Sequence, residues 1–272
     1  MDQAAVTTMQ DDAPVRITRR DGVGTIELSQ PAVFNCLSQR MLSEIGAAIA
    51  TFERDGARAV LIVADGKNFC TGAALGEVEA VRGGEAKLRD FLALGHSVLD
   101  RIEASPLPVI AAVQGLCLAG GVELALACDV VFAAEDARFG DQHAAFGLIP
   151  GWGGSQRLTR TVGLRRALDL MYSARWLDAP TAMQWGLVNY LASPAGLRDD
   201  ALAYARLLAT RSRDGLAAIK RLGRHAADDG QSLPDGLRRE QQEAMQVLAG
   251  IDINEGLAAF RERRVPNFAR EL

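Results

Sequence analysis

Residues 115–129 read GLCLAGGVELALACD, and the fold class turns on how this stretch is read. It follows Val109–Val113, an apolar run whose length and β-branched content suit a buried strand. Within it, Val122, Leu124, Ala125 and Leu126 suit a buried helix, so the segment predicts a glycine turn that opens a helix. Val130–Ala134 then predicts another strand. A helix entered through a glycine turn presents unpaired N–H groups and the positive end of its dipole. Such a turn suits a phosphate and a developing oxyanion equally well. Gly120 carries no side chain, so a ligand oxygen can approach its amide closely. Glu123 lies one helical turn further along the same face, where a carboxylate can exchange a proton with the carbon being activated.

Working outward, Val15–Arg19 and Gly24–Leu28 flank the turn residues Arg20-Asp21-Gly22-Val23 and predict a β-hairpin. Ser38 is placed to cap a helix carrying Met41, Leu42, Ile45, Ile49 and Phe52 at helical spacing. Ala59–Val63 predicts a buried strand, residues 66–76 (GKNFCTGAALG) a glycine-rich loop, and residues 84–104 a long helix stopped by Ser105-Pro106-Leu107-Pro108. Residues 147–154 (GLIPGWGG) form a turn-rich connection before a helix starting at Ser155. Further helices are expected over 164–172, 179–185, 196–210, 213–226 and 234–248. Strands and helices alternate to about residue 192 and helices alone follow, which predicts an α/β fold with a helical C-terminal region. The expected division is a lead-in over 1–13, a core over 14–195 and a helical region over 196–272.

Composition removes several classes of function. The chain has 272 residues, 49% hydrophobic and 24% charged, as an ordinary globular protein has. Thirty basic residues stand against 34 acidic ones, for a net charge of −4 with no basic block, so no nucleic-acid partner is expected. Cys36, Cys70, Cys117 and Cys128 form no C-x-x-C pair, and His96, His143 and His225 complete no metal-ligand cluster, so no metal is expected. A reduced, cytoplasmic chain fits this usage. The first residues show no secretory pattern, and no apolar run approaches the roughly 20 residues of a membrane span.

The nucleotide readings of the glycines fail on spacing. Gly115, Gly120 and Gly121 do not give G-x-G-x-x-G, and no Lys-Ser/Thr follows Gly66, Gly72 and Gly76. Close helix–strand packing remains the plain alternative for the glycine pair, and a salt-bridged helix residue for Glu123. Six segments in order break the tie: PAVFNCLSQRM (31–41), GKNFCTGAAL (66–75), GLCLAGGVELALACD (115–129), ARFGDQHAAFGLIPGWGGSQRL (137–158), WGLVNYL (185–191) and EGLAAFRERRVPNF (255–268). Together they resemble the crotonase, or enoyl-CoA hydratase/isomerase, superfamily, from about residue 15 to the end.

The resemblance implies a superhelical core of repeated ββα units, a C-terminal helical region used in assembly, and a homotrimer or dimer of trimers. It implies an oxyanion hole built from the N–H groups of Ala73 and Gly120, which hold a thioester oxygen; such donors contribute about 3–4 kcal/mol each. Thr71, Gly72, Leu75 and Trp152 are candidates for the surrounding substrate site. Phe260 and Arg264 match tail residues that contact the adenine of coenzyme A. The acyl-CoA thioester is the expected substrate and supplies the acidity of its own α-carbon, so no separate cofactor is implied.

This sequence departs from the family at one catalytic position. Hydratases place a second glutamate where this chain has His143, in FGDQH. Hydration requires a base for water and an acid for the α-carbon; Glu123 suits the first role, and a histidine, titrating near neutrality, suits the second. His143 reads equally as a residue that only shapes the pocket, and Asp141, on a loop edge, reads as solvated. Ala32 replaces a basic residue that would meet the CoA phosphates, and Ala74 replaces a loop aspartate. The expected activity is hydration of a 2-enoyl-CoA. Isomerisation, decarboxylation or thioester hydrolysis at the same site, and a non-catalytic acyl-CoA binding subunit, are the alternatives.

Overall fold

The structure, a computed structural model, describes residues 13–227, 230 and 232–268, so the expected lead-in over 1–13 lies almost wholly outside the described residues. The chain opens on an antiparallel hairpin, β1 (Val15–Arg20) and β2 (Val23–Leu28), turned by Asp21 and Gly22 at φ 53° and 75°. Two positive φ values in a two-residue loop match the right-handed twist of the strands. Helix α1 (Gln39–Arg54) follows, its first turn closed by the Ser38 hydroxyl accepting from the Met41 N–H. Met41, Leu42, Ile45, Ile49 and Phe52 form its buried stripe, as their spacing predicts.

Strands β3 (Ala59–Ala64) and β4 (Val109–Val113) are buried at every residue, the signature of parallel strands covered on both faces. Between them run α2 (Leu75–Val81) and α3 (Glu85–Ala104). Each later unit sends one strand to each of two sheets. From β4 the chain enters β5 (Leu116–Leu118) and then α4 (Gly120–Ala127); β6 (Val130–Ala134) leads to β7 (Arg138–Gly140) and α5 (Gly154–Val162). After α6 (Leu164–Ser173), β8 (Leu177–Asp178), α7 (Ala179–Gln184) and β9 (Tyr190–Ala192) complete the set. One sheet has the order β1-β2-β3-β4-β6-β9, parallel after the hairpin, and the other the order β5-β7-β8. This is the superhelix of ββα units that the motifs imply.

Helices alone follow: α8 (Leu197–Ala209), α9 (Arg213–Ala226), α10 (Leu233–Ala249) and α11 (Asp252–Glu262). The first of these helices still packs on the main sheet. Helix α8 packs on β3, β4 and β6 through Leu197, Ala201, Ala205 and Ala209, all buried. Helices α10 and α11 pack on each other and leave Leu233, Leu237, Met245, Leu248, Leu257 and Phe260 exposed, with Ile251 exposed in the link between them. No helix among the described residues is long and apolar enough to cross a membrane.

One glycine ties the fold to the site. At Gly115 the backbone turns at φ +55°, and a Cβ there would lie 2.1 Å from the Lys67 carbonyl oxygen. Gly115→Ala is therefore expected to destabilise the protein by at least about 1–3 kcal/mol, read as a lower denaturant midpoint.

Candidate active site

The loop after β3 is held on both flanks. On one side the Phe69 and Cys70 N–H groups donate to the carbonyls of Gln114 and Leu116 at 2.8 and 3.1 Å, and the Leu118 N–H donates to Cys70 at 2.9 Å. On the other, Leu37 donates to the Gly72 carbonyl at 2.8 Å and accepts from the Ala74 N–H at 3.1 Å. This parallel bridge spends the groups on either side of Ala73 and turns its own N–H away from Leu37. Gly72, at φ +103°, presses directly on the start of α4: a Cβ on it would lie 3.1 Å from the Gly120 nitrogen.

Gly120 opens α4, so its N–H has no intrahelical acceptor. The preceding residue, Ala119, takes φ 48° and ψ −118°, a conformation foreign to most L-residues, and its N–H donates to the Gly140 carbonyl at 2.8 Å. That anchor on β7 fixes the turn and the direction of the Gly120 amide. Among the described residues no group accepts from the N–H of Ala73 or of Gly120. Two unspent donors beside a helix N-terminus are groups to which a partly negative oxygen can bond.

Glu123 is 2% exposed on α4, all of whose residues are buried. Its Oε1 accepts from the N–H groups of Trp152 and Gly154, both at 2.8 Å, where the 147–154 turn enters α5. This fixes the carboxylate and leaves Oε2 facing His143, whose Nε2 lies 3.9 Å away. His143 begins a short 3-10 turn (His143–Phe146), and its Nδ1 lies 3.0 Å from Asp141 Oδ1. Asp141 is 4% exposed, which corrects the expectation of a solvated loop-edge carboxylate. The cause is the turn itself: Gln142, at φ 58°, folds the chain so that His143 and Asp141 face each other, and the His143 N–H bonds back to the Asp141 carbonyl at 2.8 Å.

Burial raises the Glu123 carboxyl above its ordinary range, opposed by the Gly154 amide, the His143 charge and the Trp152 amide. Burial pulls the His143 imidazole down, but the hydrogen bond and charge of Asp141, with the charge of Glu123, outweigh it, so its pKa stands above the ordinary value. Each group therefore keeps its proton to a higher pH than it would in water. Burial pushes the Cys70 and Cys128 thiols up to about 12, which leaves both as packing residues rather than thiolate nucleophiles. Among the described residues no His, Cys, Asp and Glu side chains group as a metal site.

The fold brings Ala73, Gly120, Glu123, His143 and Gly72 to one place. Thr71 adjoins it, its hydroxyl 3.4 Å from the Cys36 sulfur, and Leu75 opens α2 with half of its surface exposed. Trp152 stands behind the amides: its ring packs on Phe91 with centroids 5.4 Å apart and fills the space that the bare Cα atoms of Gly95 and Gly120 leave between α3 and α4. Phe260 and Arg264 are in the C-terminal region, Phe260 exposed on α11 and Arg264 in ion pairs with Glu255 and Glu262. The residues that sequence reasoning undervalued are Asp141 and the two backbone donors to Glu123; the D-x-H spacing was the one available signal for the first.

The enoyl-CoA hydratase/isomerase family model matches residues 18–271. The chain is 36% identical over 257 residues to a probable enoyl-CoA hydratase of Mycobacterium bovis, covering 93% of this chain and 97% of that one. It is 33% identical to a mitochondrial enoyl-CoA hydratase of Pongo abelii over 251 residues, 92% and 84% of the two chains. Among solved structures, an enoyl-CoA hydratase from Bacillus anthracis superposes with a TM-score of 0.89 at 32% identity, covering 95% of this chain and all of that one. One from Polaromonas superposes at 0.88 and 31%, covering 93% and 98%. The chain belongs to the enoyl-CoA hydratase/isomerase family, a family of enzymes.

Proposed function

We propose that the protein hydrates a 2-enoyl-CoA to a 3-hydroxyacyl-CoA. The observation that carries this reading is the 3.9 Å separation of Glu123 Oε2 and His143 Nε2 beside two unspent amides. That gap is too long for a direct hydrogen bond, yet one water oxygen can lie about 2.8 Å from both atoms. The thioester oxygen accepts from the Ala73 and Gly120 N–H groups, which stabilise the enolate as it forms. Glu123 takes a proton from the water, whose oxygen bonds to the β-carbon. His143, as imidazolium, gives its proton to the α-carbon. The proton on Glu123 then returns to His143, and the site is reset. No cofactor enters this sequence, because the thioester supplies the α-carbon acidity.

The pH dependence follows in sign. Activity requires Glu123 ionised and His143 protonated, so it falls below the raised Glu123 pKa and above the raised His143 pKa, giving a bell. A panel of acyl-CoAs with mass spectrometry tests the reaction type. Products heavier by one water are expected; unchanged mass, loss of carbon dioxide or release of free CoA would instead assign isomerisation, decarboxylation or hydrolysis. The exposed apolar side chains of α10 and α11 support assembly into a trimer or dimer of trimers, which a light-scattering mass would check.

A further inference from the structure

We infer that Asp141 is a positioning residue for proton transfer: its carboxylate holds the His143 imidazole by Nδ1, so that Nε2 is the proton-bearing atom presented to the reacting carbon. The inference rests on the hydratase reading for the fate of that proton, but the dyad itself rests on geometry. Asp141 Oδ1 lies 3.0 Å from Nδ1 and 3.3 Å from the His143 N–H, so one oxygen fixes both the ring and the turn that carries it. The carboxylate is 4% exposed, and water competes poorly for it.

An ionised carboxylate only accepts hydrogen bonds, so Nδ1 must carry its proton toward Asp141. Nε2 is then the atom that gains and loses the second proton, and it is the atom facing Glu123 Oε2. The charged groups facing the ring are Asp141, from the β7–turn connection, and Glu123, from α4; both are anionic and both favour the imidazolium. The two charges favour the protonated ring, the form an acid needs. Where the resemblance implies a second glutamate, this chain divides the work: His143 moves the proton and Asp141 sets where the proton sits. The pairing also accounts for a buried carboxylate that would otherwise have no role in the pocket.

The test is Asp141→Asn, which keeps the shape and removes the charge. Imidazole titrations followed by nitrogen and proton NMR need to resolve only His96, His143 and His225, with His143→Gln assigning the signal. The His143 pKa is expected to fall by about one to three units, the effect of removing one close opposite charge. On kinetics with the wild-type substrate, the alkaline limb of kcat should move to lower pH and kcat at pH 8 should fall at least tenfold, with KM within about threefold. Asp141→Glu is expected to restore part of the pKa, and with it part of the limb. An unmoved His143 pKa in Asp141→Asn would overturn the inference, as would a lowered pKa with an unmoved alkaline limb. Should the wild type turn over no enoyl-CoA, the hydration reading fails by itself, and the NMR titration alone decides whether Asp141 sets the imidazole proton.

Discussion

Glu123→Gln is expected to lower kcat by about 10²–10⁴-fold, the range that general acid–base groups supply. The substitution is a clean one because of how Oε1 is used. The carbonyl oxygen of glutamine can still accept from the Trp152 and Gly154 amides, so the turn into α5 keeps its anchors. What changes is the atom facing His143: an amide nitrogen, which cannot take a proton, replaces the Oε2 that lies 3.9 Å from Nε2. A buried carboxylate is also costly to desolvate, and the neutral amide escapes that cost. Thermal stability should therefore hold or rise while turnover collapses, and the dissociation constant of a saturated acyl-CoA should stay within a few-fold. Stopped-flow or coupled assays with calorimetric binding measure both. A variant with kcat within tenfold of wild type would remove Glu123 from the chemistry. A non-catalytic acyl-CoA binding subunit would show no turnover in either form.

Gly72→Ala should produce the second large effect, and its cause is steric rather than chemical. A Cβ at residue 72 would meet the Ala119 Cβ at 2.9 Å and the Gly120 nitrogen at 3.1 Å, on a backbone at φ +103° that side chains rarely accept. The loop must withdraw from α4, which moves the Ala73 amide away from that of Gly120. Loss of one such donor costs about 10²–10³-fold in kcat, and the strained backbone adds about 1–3 kcal/mol of destabilisation. Gly83→Ala is the matched control, since nothing lies within 4 Å of a Cβ there. If Gly72→Ala kept full activity, the paired amides would not be the seat of the thioester oxygen. Unlike Glu123→Gln, this variant should also weaken acyl-CoA binding, because in the proposed mechanism the amides contact substrate and enolate alike.

Most of the core architecture was legible from residue patterns because it is locally encoded. An uninterrupted apolar run at Val109–Val113 is a buried parallel strand, and the helix of α1 is written in its Ser38 cap and five-membered stripe. The short elements were not legible. Strands β5, β7 and β8 span three, three and two residues, too few for any periodicity to register, and they exist because carbonyls and amides of neighbouring units pair across the superhelix. Helix α2 begins inside what reads as a glycine loop, and α11 buries only Glu255 and Ala259, too little for an apolar stripe to register.

The same division runs through the site. The glycine turn before α4 and the position of Glu123 one turn along it are matters of residue type and spacing along the chain, whereas the interest of His143 came from the family resemblance. Three features come from long-range packing: Gly72 touches Gly120, the 147–154 turn donates two amides to Glu123, and Asp141 is buried against His143 rather than solvated. The physical reason is that an amide's direction and a carboxylate's burial depend on atoms far apart in the chain. Ala73 faces Gly120 because Leu37 and Leu116 grip the loop from opposite sides, and no local pattern records that grip.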